Sequence, residues 1–253
     1  MAKKFLDKVK EKEYITIDFI GDSITHGRMY CRNEETYVAK FANFLSREFP
    51  ECRVCRYDGV PAGTSADPMK SFDGPVLCSI GNGGGSIDVI RNGIGGSTVW
   101  RATLRPQDYM GELANGRRHD IVFLMFGIND ALTYAEDKYA PPEKFKENYR
   151  KLINMVRDEN PDVSFVITLA TTNNYTIDEH VKKTIELAEE EHIPYIDTYK
   201  LWCDHYKEGV DHFGHGDWLH SDGDACHPMP IASEIMGRFV FEKFMELVRN
   251  GLV

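Results

Sequence analysis

The chain alternates between short apolar segments and longer segments with a helical period. The segments predicted as strands are Tyr14–Ile20, Ile87–Arg91, Ile121–Phe126, Val163–Leu169 and Ile193–Ile196. Ile121–Phe126 is apolar at every position. Strands that are apolar on both faces are typical of a parallel sheet covered by helices on both sides.

Four other segments place their apolar side chains on one helical face. These faces contain Tyr37, Phe41, Phe44 and Leu45; Phe145, Tyr149, Leu152 and Val156; Val181, Ile185 and Ala188; and Ile231, Ile235, Phe239 and Leu247. Thr176 and Glu179 before the third face have the spacing of a capping box. The alternation predicts an α/β protein, a three-layer α/β/α sandwich, in which ligands bind at the carboxyl ends of the strands.

The stretch Glu51–Ser86 interrupts this alternation, with seven Gly and three Pro in 36 residues and no helical face. We interpret it as an insertion at about 51–86 that contains short strands or a hairpin. Long stretches of this kind are functional or mobile in many domains. We interpret the whole chain, residues 1–253, as a single domain that contains this insertion.

Composition excludes several classes of function. The 253 residues carry 30 Lys and Arg against 40 Asp and Glu, a net charge of −10, which disfavours binding to nucleic acid or anionic membranes. Ile121–Phe126 is the longest apolar run and is far shorter than the ~20 residues that span a bilayer. Met1–Tyr14 is rich in Lys and Glu and is not a secretory signal, so we expect a cytoplasmic location.

The six cysteines are too few for a disulfide scaffold. Cys52 and Cys55 form a single C-x-x-C motif, whereas a zinc site needs three or four ligands. We expect these two residues to be reduced, packed thiols, with a metal or redox role as the alternative.

Four polar or glycine-rich segments lie after predicted strands or just before the last helix: Gly21–Gly27, Asn92–Ser97, Gly127–Asp130 and Asp224–Pro228. Each alone is also typical of a helix cap, a tight turn, an Asx turn or a surface ion pair. Together they supply a serine nucleophile, a histidine base, a carboxylate to orient it, and amide donors for an oxyanion. These are the parts that acyl transfer requires.

These segments resemble the conserved blocks of the SGNH (GDSL-type) hydrolases. Gly21-Asp22-Ser23 with Ile24-Thr25 and Gly27 is similar to the first block, Gly93-Ile94-Gly95-Gly96 to the second, Gly127-x-Asn129-Asp130 to the third, and Asp224-x-x-His227-Pro228 to the last. The blocks occur in the family's order and span most of the chain. The resemblance implies a flavodoxin-like fold with a five-stranded parallel sheet.

The resemblance also implies a role for each matching residue. Ser23 is implied as the nucleophile, His227 as the general base, and Asp224 as the residue that orients it. The backbone N–H groups of Ser23 and Gly96 and the side-chain amide of Asn129 are implied as the oxyanion hole. No metal or organic cofactor is implied.

Two features depart from the family pattern. Ala225 stands where the last block often has Gly, which affects the loop geometry rather than the roles. The stretch 51–86 is longer than in the small members of the family. The absence of a G-x-S-x-G elbow disfavours the common α/β-hydrolase architecture.

The predicted site loops are polar and aromatic rather than apolar, which favours a sugar ester over a long acyl chain. Trp100 and Trp218 are candidates for stacking on a sugar, and Arg101 for binding its hydroxyl groups, although both Trp also fit ordinary packing. We therefore hypothesise an O-acetylesterase acting on a small-molecule or oligosaccharide ester. A homo-oligomer is compatible with the sequence.

Three alternatives remain open at this stage. A lysophospholipase or thioesterase would use the same residues on longer acyl chains. A noncatalytic sugar-binding module would share the fold. A metal-dependent protein is suggested by the cluster His205, His212, His215, His220 and His227, with Asp211, Asp217 and Asp222 nearby, but without a tight ligand spacing.

Overall fold

The computed structural model of the protein describes residues 4–27, 31–58, 77–79, 81, 83–105, 119–171, 177–207 and 227–253. The strands are β1 (Tyr14–Gly21), β2 (Arg53–Asp58), β3 (Leu77–Cys78), β4 (Ser86–Gly93), β5 (Ile121–Met125), β6 (Ser164–Thr168) and β7 (Tyr195–Ile196). The helices are α1 (Phe5–Lys10), α2 (Ser23–His26), α3 (Tyr37–Glu48), α4 (Val99–Leu104), α5 (Pro142–Glu159), α6 (Asp178–Glu190), α7 (Thr198–Lys207) and α8 (Pro230–Arg249). A single 3-10 turn lies at Asn33–Glu35.

The strands form one sheet in the order β3-β2-β4-β1-β5-β6-β7. Every neighbouring pair is parallel except β2 and β3, which are antiparallel. The α/β fold class is therefore confirmed. The strands β4, β1, β5, β6 and β7 by themselves have the flavodoxin-like order 2-1-3-4-5.

The expectation of a five-stranded sheet was wrong, because the sheet of the described residues has seven strands. The two additional strands, β2 and β3, come from the stretch 51–86 and extend the sheet beyond β4. Charged residues at Arg53, Arg56 and Asp58 interrupt β2, and β3 is only two residues long, so the strand character of this stretch is weak in sequence. Pairing with the edge of β4 supplies the hydrogen bonds that define β2.

One face of the sheet packs on an aromatic cluster. Phe19 of β1 stacks on Phe123 of β5 with ring centroids 4.4 Å apart. Phe41 of α3 and Phe244 of α8 cover this pair, each within 5.6 Å of Phe123. Phe5 of α1 completes the cluster against Phe244. Helices α1, α3 and α8 therefore form the layer on this side.

Helices α4, α5 and α6 cover the opposite face. Tyr149 of α5 packs edge-on against Phe126, which follows β5, and against Phe145 one turn earlier in the same helix. Lys146 on α5 forms ion pairs with Glu186 and Glu190 on α6. The sheet thus lies between two helical layers, as the periodicity predicted.

One local expectation is corrected and one lies outside the described residues. Helix α6 begins at Asp178 with Ile177 as its N-cap and no capping side chain, and Thr176 of the predicted capping box lies outside the described residues. Cys55 on β2 is disulfide-bonded, whereas Cys52 is a free, buried thiol. In the β2–β3 pair the register partner of Cys55 is Cys78, a neighbour that only the fold of the insertion brings opposite it.

Within the described ranges, no helix combines the length and apolar composition that a membrane span needs.

Candidate active site

Ser23 lies at the carboxyl end of β1, in the first turn of the one-turn helix α2. Asp22 is the N-cap of that helix, and its Oδ1 accepts a hydrogen bond of 2.9 Å from the Ile24 N–H. Only glycine fits at Gly21, because a Cβ there would lie 2.3 Å from Thr25 Oγ1 and 2.7 Å from the Met125 carbonyl oxygen. The glycine before the serine therefore lets α2 start directly over the end of the sheet.

His227 reaches the serine from the other end of the chain. Its Nε2 lies 2.7 Å from Ser23 Oγ, a hydrogen-bond distance. The Cys31 thiol donates to the carbonyl oxygen of Pro228 at 3.3 Å and contacts Ser233 Oγ at 3.4 Å. These contacts anchor the segment that carries His227 at the start of α8, so the imidazole is held beside the serine hydroxyl.

Three amide donors lie on the loops that follow β1, β4 and β5. Within the described residues, the backbone N–H groups of Ser23 and Gly96 donate no hydrogen bond. Asn129 is 6 % exposed, and its Nδ2 has no hydrogen-bond partner in the described part of the chain. A buried donor without a partner carries a desolvation cost, which an oxyanion at this position would offset.

Hydrogen bonds tie the three loops together. The Ile94 N–H donates to the Gly21 carbonyl at 3.0 Å, which joins the loop after β4 to the end of β1. The Val99 N–H donates to Asp130 Oδ1 at 3.1 Å, which joins the start of α4 to the loop after β5. Burial raises the pKa of Asp130 well above its usual range. The donors are therefore held by a bonded frame rather than by independent loops.

Asp22 is a second buried carboxyl at the site. Burial raises its pKa to about 6, while the Ile24 N–H, the charge of His227 and the Asn129 amide each act to lower it. The Asp22 carboxyl is thus linked electrostatically to both His227 and Asn129. The sequence reasoning assigned it no role of its own.

The residues suggested for substrate binding have different surroundings. Trp100 on α4 is 42 % exposed, and Lys151 Nζ lies 5.6 Å from the centroid of its ring. Arg101 donates to the Gly96 carbonyl at 3.4 Å and forms an ion pair with Asp137 at 2.6 Å. Arg101 therefore braces the Gly96 turn. A role of Trp100 and Arg101 in binding substrate remains a prediction from the sequence.

Asp224 and Trp218 lie outside the described residues, as do His212, His215 and His220 of the suggested metal cluster. Among the residues that are described, no group of three or more His, Cys, Asp or Glu side chains has the arrangement of a metal site.

The family follows from comparison with known proteins. A sequence profile of the GDSL-like lipase/acylhydrolase family matches residues 79–230, more than half of the chain. The chain belongs to the GDSL-like lipase/acylhydrolase family. The resemblance to SGNH hydrolases noted in the sequence is thereby confirmed. A comparison with curated proteins finds no match.

Solved structures of other proteins share the fold of this GDSL-like acylhydrolase. The two-domain esterase CEX, active on acetylated mannans, has a TM-score of 0.66 and 16% identity, covering 96% of this chain. This chain spans 51% of that esterase, about half its length. The acetyl xylan esterase AlAXEase has a TM-score of 0.62 and 18% identity, with coverage of 90% of this chain and 99% of that one.

A mutant of Axe2, an acetylxylan esterase from Geobacillus stearothermophilus, has a TM-score of 0.60 and 19% identity. The match covers 92% of this chain and 94% of that one. At these identities, the three structures establish the fold and not the substrate.

The sequence reasoning missed the groups that support the site. Arg91 is 1 % exposed, donates to the His26 carbonyl at the end of α2, and reaches Asn33 Oδ1 at 3.1 Å. A charged residue at the end of the predicted strand Ile87–Arg91 was the available signal for Arg91. For Asp130, the available signal was its place directly after Asn129 in the segment Gly127–Asp130.

Proposed function

We propose that this chain is a serine esterase that removes O-acetyl groups from carbohydrates through an acyl-enzyme intermediate. The observation that carries the proposal is the 2.7 Å contact between Ser23 Oγ and His227 Nε2. A serine hydroxyl hydrogen-bonded to an imidazole at the mouth of a parallel sheet is the arrangement of an activated nucleophile.

In the first step Ser23 Oγ attacks the acetyl carbonyl carbon as His227 Nε2 accepts the hydroxyl proton. Negative charge develops on the carbonyl oxygen, which receives hydrogen bonds from the N–H groups of Ser23 and Gly96 and from Asn129 Nδ2. The tetrahedral intermediate then expels the sugar alkoxide. That oxygen takes the proton from His227 and leaves as the free hydroxyl.

In the second step His227 accepts a proton from water, and the resulting hydroxide attacks the acetyl-Ser23 ester. The same donors hold the second oxyanion. Collapse of that intermediate releases acetate, and the proton on His227 returns to Ser23 Oγ. Asp224 is proposed to accept a hydrogen bond from His227 Nδ1–H, which would fix the tautomer and stabilise the imidazolium.

The choice of acetylated carbohydrate rests on two supports. The polar and aromatic character of the site loops favours a sugar over a long acyl chain. The structural neighbours described above act on acetylated mannans or acetyl xylan. We propose an acetylated oligosaccharide as the substrate on these grounds.

The test begins with a p-nitrophenyl ester series, from acetate to long-chain acyl groups, with wild-type protein, Ser23→Ala and the distant control Ser46→Ala. Acetate-preferring hydrolysis that is lost only in Ser23→Ala supports the esterase mechanism. Acetate release from acetylated xylo- and manno-oligosaccharides then tests the substrate class. A preference for long acyl chains would instead indicate a lysophospholipase or thioesterase, and activity that survives Ser23→Ala would overturn the mechanism.

A further inference from the structure

The side chain of Lys138 reaches the Gly96 turn. A Cβ built on Gly96 would lie 3.3 Å from Lys138 Nζ and 3.9 Å from its Cε. Gly96 adopts a positive φ of 69°, and apart from its chain neighbours no other described residue has an atom within 4 Å of this Cβ position. The ammonium group of Lys138 therefore lies beside a residue whose N–H is an oxyanion donor in the proposed function.

The loop that carries Lys138 is held in place by its own hydrogen bonds. The Ala140 N–H donates to the Asp130 carbonyl at 2.9 Å, and the Lys138 N–H donates to the Ala135 carbonyl at 2.8 Å. The ion pair between Asp137 and Arg101 fastens the same loop to α4. The backbone that carries Lys138 is therefore held by a bonded loop that returns to Asp130, next to Asn129.

Among the described residues, the positive charge of Lys138 has no carboxylate partner. Arg101 is paired with the Asp137 carboxylate, whereas the Lys138 side chain forms no ion pair or hydrogen bond with any described residue. Glu136 on the same loop is exposed and forms no ion pair with Lys138. A half-buried lysine beside the proposed oxyanion hole leaves one positive charge for an anion that forms there.

We propose that Lys138 stabilises the tetrahedral oxyanion of the reaction by its positive charge, in addition to the three amide donors. The inference rests on the proposed function. The ground-state ester carbonyl is neutral, and the full negative charge exists only in the tetrahedral intermediates and the transition states that flank them. A nearby fixed charge therefore lowers the barrier without tightening substrate binding. It acts in both acylation and deacylation, since both pass through an oxyanion.

The test compares Lys138→Met, which removes the charge and keeps the length, with Lys138→Arg, which keeps the charge. Lys243→Met is the matched control, because it makes the same change in net charge on α8, where Lys243 pairs with Glu246. A charge several ångströms away in a partly solvated site is expected to contribute on the order of tenfold in kcat. We expect Lys138→Met to lower kcat on p-nitrophenyl acetate by about that factor at unchanged KM.

Salt provides a readout that a purely structural role would not affect. Raising the ionic strength screens partly exposed charges, so the difference between wild type and Lys138→Met should shrink with added NaCl, and Lys138→Arg should retain most of the activity. A fall in kcat that is insensitive to salt and not rescued by Arg would overturn the proposal. An effect on KM alone, or one equal to that of Lys243→Met, would also overturn it.

Thermal unfolding of each variant separates loss of structure from loss of charge. If Lys138→Met unfolds, Lys138→Gln with the same salt titration takes its place. Ser23→Ala is measured in the same series. Activity that survives in Ser23→Ala contradicts the proposed function itself, whereas a Ser23-dependent activity that ignores Lys138 contradicts only this inference.

Discussion

The side-chain amide of Asn129 is a buried donor that is proposed to bind the oxyanion and that contributes little to folding stability. Its Nδ2 is buried and makes no hydrogen bond of normal geometry in the described part of the chain, and its amide has the smallest of the named influences on the pKa of the Asp22 carboxyl. We expect Asn129→Ala to lower kcat by roughly 10²–10³, the usual loss for one oxyanion donor, with little change in KM. The free energy of unfolding should change by less than about 1 kcal/mol, because only this weak interaction with Asp22 is lost.

Steady-state kinetics and urea unfolding of the same preparation check both parts of this expectation. Asn250→Ala, an exposed change at the C-cap of α8, is the control for handling and folding. A variant that keeps wild-type kcat would remove Asn129 from the oxyanion hole. A large loss of stability would show that the amide has a structural role.

Asp22 gives a prediction about the pH dependence of stability. Burial raises its folded-state pKa to about 6 from the ordinary value of 3.8. The folded state therefore holds this proton more tightly than the unfolded state, so the Asp22 contribution to stability falls as pH rises from 3.8 to about 6. This difference in pKa, at about 1.4 kcal/mol for each tenfold change in proton affinity, corresponds to about 3 kcal/mol as an upper bound.

Asp22→Asn keeps the side-chain oxygen that accepts from the Ile24 N–H and removes the titration. Relative to wild type, we expect this variant to gain up to about 3 kcal/mol between pH 4 and pH 8. Urea unfolding at several pH values measures the difference. The buried carboxyl of Asp18 is present in both proteins and cancels in it, whereas the charge of Asp22 contributes to the raised pKa of Asp130, so the difference reports these two carboxyls together. A difference between the two proteins that stays the same from pH 4 to pH 8 would contradict the raised pKa.

The close approach of β4 to α2 provides a test at the level of the secondary-structure elements. A Cβ on Gly93 would lie 2.0 Å from the His26 backbone nitrogen and 2.6 Å from the Thr25 carbonyl carbon. Backbone atoms cannot move aside as a side-chain tip can, so Gly93→Ala must displace α2 and with it Ser23. We expect a loss of stability of about 1–3 kcal/mol, typical of overpacking, and a fall in kcat/KM of more than about tenfold.

Gly95→Ala is the matched control for stability, because a Cβ at that position meets nothing within 4 Å and the turn is otherwise the same. Urea midpoints and esterase kinetics of the two variants are compared directly. Equal stability in both would mean that β4 and α2 are not in the tight contact described here.

The predicted strands show how far local pattern determines this fold. Ile121–Phe126 and Val163–Leu169 were predicted to within about one residue at each end, since continuous burial on both faces leaves a continuous apolar run. The strand β2 was not predicted individually, because it is defined by pairing with β4 rather than by its own residues. Sheet order, too, depends on contacts between elements that sequence periodicity does not record.

Sequence motifs likewise identify some residues of the candidate site, while the contacts between them depend on the fold. Ser23, Asn129 and His227 stand in short segments with recognisable neighbours, so the resemblance to a family found them. The contact between Ser23 and His227 joins residues 204 positions apart, and only the fold brings them to 2.7 Å. No sequence motif includes Lys138. Its relation to Gly96 exists only through the hydrogen bonds that shape the loop after β5.

At the scale of the whole molecule, the disulfide lies on β2, outside the strands β1, β4 and β5 whose loops carry the candidate site. Cys55 pairs in register with Asp88 of β4, five residues before Gly93 at the carboxyl end of that strand. Loss of the disulfide should therefore lower stability by about 2–4 kcal/mol while kcat/KM stays near that of wild type. Cys55→Ala tests this by urea unfolding and ester hydrolysis, and Cys203→Ala, at a cysteine that is not in a disulfide, is the control.

Reductant distinguishes the covalent bond from simple packing of the Cys55 side chain. In dithiothreitol the wild type should lose the stability that the disulfide provides, and most of its advantage over Cys55→Ala should disappear. An advantage that persists unchanged under reduction would show that packing, not the bond, is responsible. Alkylation during lysis, followed by mass spectrometry, reports whether Cys55 is oxidised in the cell. Because disulfides persist in oxidising compartments, an oxidised Cys55 would argue against the cytoplasmic location expected from the sequence, and a reduced one would support it.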